Sequence, residues 1–215
     1  MVAHRVFLTG GTGYIGRRLI PALLGAGHAV TALVRPGSES RLPAGCVPVV
    51  GNALDAASFA GNVPPADTFV QLVGVAHPGP TKAAQFESVD FASAAASAQA
   101  AAESRIRHFV YVSVAQPAPA MRAYVAARAR GEACIREKGL DATFLRPWYV
   151  LGPGHRWPYF LIPAYWIAER IPSTREAARR CGLVTLRQMV AALVRAVEEP
   201  ARGARIVEVP EIRRA

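Results

Sequence analysis

Residues 9–16 read TGGTGYIG, four glycines in eight residues directly after the apolar run VFL. Ahead of them, 4–9 (HRVFLT) reads as a short strand. Behind them, apolar side chains at 15, 19, 20, 23 and 24 form one face of a helix over 14–26, which Pro21 is expected to bend. Strand, glycine turn and helix in that order is the context in which a glycine pattern becomes a phosphate site. Gly10 allows the tight turn, Gly13 lets a pyrophosphate approach the backbone, and Gly16 lets the helix pack closely. The helix start then offers unpaired N–H groups and partial positive charge to an anion. A bare surface turn is the alternative reading.

The rest of the chain repeats the alternation. Strands are expected at 28–34, 47–50, 67–73, 108–114, 141–146 and 205–209, and helices at 83–104, 121–138 and 186–198. Strands that are apolar on both faces and alternate with helices predict an α/β doubly wound parallel sheet with helices on both faces. The expected organisation is one domain over 1–215, with a small C-terminal lid inserted at about 153–182. A hydrophobic share of 52% supports a real core, yet no apolar run reaches the ~20 residues that span a bilayer. The start, MVAHRVFLTG, runs straight into a strand, so no signal peptide and a cytoplasmic location are expected. Cys46, Cys134 and Cys181 are odd in number and far apart, which suits buried free thiols and no metal site.

The formal charge is +10, of which residues 121–215 carry +8. Its scatter, without a dense basic block, argues against nucleic acid and for a basic surface that favours an anionic small molecule.

TGGTGYIG resembles the TGxxGxxG turn of the extended and atypical short-chain dehydrogenase/reductase superfamily, which has a Rossmann fold. Further segments follow in that superfamily's order. GNALD at 51–55 resembles GDxxD, with Asn52 for the first Asp. FVYVSV at 109–114 resembles the strand ending on the active-site Ser. Tyr124 and Arg128 stand in the register of YxxxK, LRPWYVLGPG at 145–154 resembles RPxxvyGPG, and MVAALVRAVEEP at 189–200 resembles the C-terminal helix. The resemblance implies a nicotinamide cofactor held by Gly10, Thr12, Gly13, Tyr14, Ile15, Gly16, Leu72, Val73, Gly74 and Pro147, with Asn52 and Ala53 beside the adenine.

Sites of this type take NAD through an acidic residue ending the second strand. Here Arg35 stands nineteen residues after Gly16, with no acidic residue before Glu39. Its planar guanidinium suits a 2′-phosphate, so NADP(H) is expected over NAD, with Ser38 and Arg41 assisting. The alternative is that Arg35 is a solvated strand end.

The resemblance further implies Tyr124 as acid/base, Ser113 as the group polarising the substrate oxygen, and Arg128 in place of the lysine that lowers the phenol pKa. Tyr124 and Arg128 are an i, i+4 pair and share a helix face. Arginine is not a compact ammonium, and Val114 stands where a second serine is common. Tyr124 packing beside the cofactor without turnover is the alternative. Tyr111 and Tyr149 are spare phenols, Tyr111 pointing into a packed face. His77 and His155 follow strand ends, where local hydrogen bonding is the ordinary role.

Residues 155–172, HRWPYFLIPAYWIAERIP, concentrate Trp157, Tyr159, Phe160, Tyr165 and Trp166. Packing in the core or as a lid is the default for aromatics, and an apolar pocket, a dimer contact or a membrane surface are the alternatives. Pro158 and Pro163 break the stretch and speak against a membrane role. Two functions stay open: an NADP(H)-dependent oxidoreductase or epimerase for a small apolar carbonyl or alcohol compound, and an NADP(H)-binding sensor or accessory protein. Either a monomer or a homodimer is expected, the latter through the Ala-rich 92–102 run.

Overall fold

Bulky and small side chains alternate along the strands, and that alternation organises the molecule. The computed structural model describes residues 2–154, 160 and 162–215. β1 (Arg5–Thr9) leads through the glycine turn into α1 (Gly16–Gly25), and then come β2 (Ala29–Val34), β3 (Val47–Val50) and β4 (Thr68–Gln71). A continuous helical stretch follows, made of α2 (Ala83–Gln85), a wider π turn (Phe86–Phe91) and α3 (Ala92–Glu103). β5 (His108–Val112), α4 (Arg122–Glu137) and β6 (Ala142–Arg146) continue the alternation. Beyond them lie β7 (Tyr149–Leu151), α5 (Ile162–Ala168), α6 (Arg175–Arg180), β8 (Leu183–Thr185), α7 (Leu186–Glu198), β9 (Ala204–Glu208) and α8 (Val209–Ile212).

Seven strands form one parallel sheet in the order β3-β2-β1-β4-β5-β6-β9. The chain winds outward from β1 to one edge, returns, and winds outward from β4 to the other. The carboxyl ends of β1 and β4 therefore flank the crevice where such sheets bind ligands.

One face of the sheet carries Val6, Leu8, Val70, Val110 and Leu145, covered by Leu19, Ile20 and Leu23 of α1 and Met189 and Leu193 of α7. The other carries Phe7, Phe69, Phe109, Tyr111 and Phe144 under α3 and α4. Phe69 and Phe109 stack with ring centroids 5.1 Å apart. So many rings on one face leave space only for small residues above them. Accordingly Ser93, Ala94, Ala96, Ser97, Ala98, Ala100 and Ala101 of α3 are buried within the chain. That packing within the chain matches the run of small side chains.

β7 and β8 form a separate two-stranded parallel sheet that the sequence did not announce. β8 feeds α7 through a capping box: Thr185 Oγ1 accepts from the Gln188 N–H at 3.2 Å, and Gln188 Oε1 accepts from the Thr185 N–H at 2.9 Å. Cys181 is buried, whereas Cys46 and Cys134 are half-buried rather than sequestered. Among the described residues, no helix is long and apolar enough to cross a membrane.

The expected packing of the aromatic segment is not met where it is described. Phe160 is 88% exposed and Trp166 60%, while Tyr165 is half-buried. With α5 resting on Tyr165, the ring of Trp166 one position on must point away. His155, Trp157 and Tyr159 lie outside the described residues.

Candidate functional site

The glycine turn is built by close backbone contacts. Gly10 has φ +82°, a left-handed conformation that glycine adopts without strain, and its carbonyl accepts from the Gly13 N–H at 3.0 Å. A Cβ at Gly16 would lie 2.3 Å from the Gly10 oxygen and 2.7 Å from the Gly11 Cα, so this glycine packs α1 onto the turn itself. A Cβ at Gly10 would meet the Leu72 carbonyl carbon at 3.0 Å, which seats the turn against the end of β4. Gly13 is exposed, and only the Gly10 oxygen would approach a Cβ there.

A cleft of about 310 Å³ opens over this turn. Gly10, Gly13, Tyr14, Ile15 and Gly16 line it from the turn, and Leu72 and Gly74 from the end of β4. Ser113 lines it from the end of β5, Tyr124 and Arg128 from α4, and Pro147 from the end of β6. Tyr149 and His77 also reach its wall. Thr12, Val73, Arg35, Asn52 and Ala53 are not in its lining. Arg35 is exposed just past β2, its side chain in no hydrogen bond or ion pair among the described residues. Asn52 shapes the turn after β3, its Oδ1 accepting from the Leu54 N–H at 3.1 Å.

Arg128, in the register of the lysine, is tied to buried protein groups. Its Nη2 lies 2.6 Å from Asp90 Oδ1, its Nη1 donates to the Val112 carbonyl at 2.7 Å, and both residues are buried. Asp90 Oδ2 accepts from the Val75 N–H at 3.2 Å. Burial pushes the Asp90 carboxyl up, and Arg128 works against that shift. Burial likewise opposes charge on Arg128, but Tyr124, Tyr111 and Asp90 more than offset it, and the guanidinium stays protonated. The guanidinium lies 5.4 Å from the Tyr124 ring centroid and 5.6 Å from that of Tyr111.

Gly74 is small for the same reason: a Cβ there would lie 1.9 Å from Arg128 Nη2 and 2.9 Å from Asp90 Oδ1. Tyr111 is fully buried as expected, and burial pushes its phenol up to about 12, which removes it as an acid or base near neutral pH. Tyr124 is half-buried, its ring tilted against Phe86 at 5.1 Å.

The sequence reading passed over Glu132, two turns along α4 from Tyr124. It is buried and accepts from Arg146 through two bonds (2.9 and 2.7 Å), from Gln116 at 2.8 Å and from Arg136 at 3.2 Å. Burial works against its charge, but Arg146, Ser113 and Arg136 hold it below the ordinary carboxylate value. It therefore ties α4 to the ends of β5 and β6, the two strands that carry Ser113 and Pro147. The Ser113 hydroxyl is itself buried beside it with no hydrogen bond of good geometry among the described residues. Repetition on one helix face, at 124, 128 and 132, was the available signal for Glu132.

A family model described as NAD(P)H-binding matches residues 10–156, from the first glycine of the turn past Pro147. The chain belongs to that NAD(P)H-binding family. A curated relative, the ceramide reductase of Caulobacter vibrioides, is 26% identical over 97% of this chain. The chain spans about 65% of that relative's length. Among solved structures, the Bordetella bronchiseptica enzyme WbmH in complex with NAD+ superposes with a TM-score of 0.71 at 20% identity, over 96% of this chain and 76% of that one. A UDP-galactose 4-epimerase superposes with a TM-score of 0.69 at 18% identity, over 94% of this chain and 76% of the other. They share the fold. The residues present fit the family's nicotinamide nucleotide: the glycine turn is open at Gly13, where a Cβ would meet only the Gly10 oxygen, and it would take the phosphates in the cleft that Ser113 also lines.

Proposed function

We propose that this protein is an NADP(H)-dependent oxidoreductase, or an epimerase with retained cofactor, acting on a small apolar carbonyl or alcohol compound. The observation that carries the reading is the convergence of the glycine turn, Ser113 and Tyr124 on one cleft. The N–H groups of the turn and of the start of α1 bind the pyrophosphate. Arg35, with Ser38 and Arg41, binds the 2′-phosphate. A cleft of about 430 Å³ beside the turn, lined by Arg17, Arg18 and Arg41, adds to the positive field there.

When bound, the nicotinamide supplies or accepts the hydride. Ser113 donates a hydrogen bond to the substrate oxygen, and the Tyr124 phenol gives that oxygen its proton in reduction and takes it back in oxidation. Arg128, fixed by Asp90, keeps positive charge beside the Tyr124 ring, 5.4 Å from its centroid. Val75, Ala76 and Pro147 supply apolar wall. The name of the Caulobacter relative, a ceramide reductase, supports an apolar substrate.

A second reading, nucleotide binding without turnover, is favoured by one observation: Arg128 is committed to Asp90 and the Val112 carbonyl. NADPH oxidation followed against a panel of apolar aldehydes and ketones separates the two. The enzyme reading expects turnover that falls at least about a hundredfold in Tyr124→Phe, in line with loss of an acid/base group, while NADPH binding persists. Absence of turnover on every carbonyl, with NADPH still bound, supports the binding protein.

A further inference from the structure

Among the described residues nine large hydrophobic side chains are exposed, and four of them fall within residues 160–171. They are Phe160, Trp166, Ile167 and Ile171, at 88, 60, 54 and 46% exposure. The helical course of α5 continues past Ala168, with the Glu169 N–H donating to the Tyr165 carbonyl and the Arg170 N–H to that of Ile167. Positions 163, 166, 167, 170 and 171 therefore share one side, and all five are exposed. Tyr165, Ala168 and Glu169 on the other side are half-buried, and Glu169 is anchored to Arg213 at 2.8 Å. An ordinary surface helix turns its apolar stripe inward; this one turns it outward. An outward apolar stripe of this size marks a contact surface.

The charges around the stripe indicate what covers it. Arg170 lies within it, its guanidinium 3.3 Å from the Trp166 ring centroid. α6 follows directly and presents Arg175 and Arg179, one turn apart and both exposed. None of these three arginines pairs with a carboxylate among the described residues, and the nearby Glu176 is already bound by Arg180 at 2.9 Å. A second copy meeting this face about a two-fold axis would set each arginine against the like-charged surface of its partner. A bilayer with anionic headgroups suits both features at once, since aromatic and aliphatic side chains enter the acyl boundary while arginines meet phosphates.

We propose that this face docks the protein reversibly on an anionic phospholipid surface, with Trp166, Ile167 and Ile171 at the acyl boundary and Arg170, Arg175 and Arg179 among the headgroups. Nothing in this surface depends on which nucleotide the glycine turn holds.

Co-sedimentation of the full chain with vesicles tests it, using phosphatidylcholine alone against equal parts phosphatidylcholine and phosphatidylglycerol, at low and high salt. The expected result is binding to the mixed vesicles about tenfold or more tighter than to phosphatidylcholine, and weakened by salt. Trp166→Ser combined with Ile167→Ser should weaken binding about tenfold or more. Arg170→Glu combined with Arg179→Glu should remove the preference for anionic lipid, a loss on the order of 20-fold. All four side chains are exposed, so an unchanged thermal melt is expected to accompany both pairs of substitutions. Failure to bind the mixed vesicles, or unaltered binding in both variants, overturns the proposal. A dimer in sedimentation velocity that Trp166→Ser with Ile167→Ser dissolves also overturns it, and assigns the face to a second copy.

Discussion

Arg128 and Asp90 are thirty-eight positions apart in the chain and 2.6 Å apart in the fold. The helical pairing of Tyr124 with Arg128 was legible from their spacing alone. The partner of Arg128 was not, because an aspartate in an alanine-rich stretch carries no sign of what it will face. Gly74 was legible as a glycine in the cleft but not for its reason, which is space for the guanidinium. Removing one member of a buried pair leaves the other uncompensated, so Asp90→Ala is expected to lower stability by about 3–5 kcal/mol in denaturant titrations. Gly74→Ala forces a pair held on two sides to move and should cost roughly 1–3 kcal/mol. If both variants unfold with the wild-type midpoint, the pair does not hold the α4 face in place.

At the scale of elements, β1, the glycine turn and α1 were the most legible part, since a buried strand, a positive-φ glycine and an amphipathic helix each leave a local mark. Gly16→Ala tests that unit: its methyl would meet backbone on two sides, at 2.3 and 2.7 Å, with no flexible side chain to yield. Dinucleotide binding is expected to fall at least about tenfold and stability to drop by roughly 1–3 kcal/mol; unchanged binding would remove the turn from the site. β7 and β8 were illegible because three-residue strands are too short to show a period. The outward apolar side of α5 was illegible for another reason. Periodicity says which residues share a face, and only tertiary packing decides which way that face turns.

For the whole molecule, the α/β order of strands and helices predicted the parallel sheet, while its two unlike faces became apparent only when the rings gathered under α3. Buried histidines give the assembled sheet an acid sensitivity. His108 on the inner strand β5 is buried with Nε2 2.9 Å from Thr143 Oγ1, and burial pushes its pKa down to about 4. The unfolded chain binds this proton near pH 6.5 and the folded one only near 4, so stability is fully present above 6.5 and is lost as pH falls towards 4, by about 3 kcal/mol. His28 is shifted down by burial as well and acts in the same direction. Unfolding midpoints measured across that range should slope less in His108→Gln; an equal slope would exonerate this residue. The central claim is that the cleft at the β1/β4 crevice holds a nicotinamide nucleotide and prefers NADP(H). Equilibrium titration of the purified chain with NADPH and NADH, repeated in Arg35→Ala, tests it most directly. Micromolar NADPH binding, about tenfold or more tighter than NADH and reduced to the NADH level in the variant, is the expected result for a guanidinium on a 2′-phosphate. Binding of neither nucleotide would contradict the account, and equal binding of both, unaltered in Arg35→Ala, would contradict its assignment of Arg35.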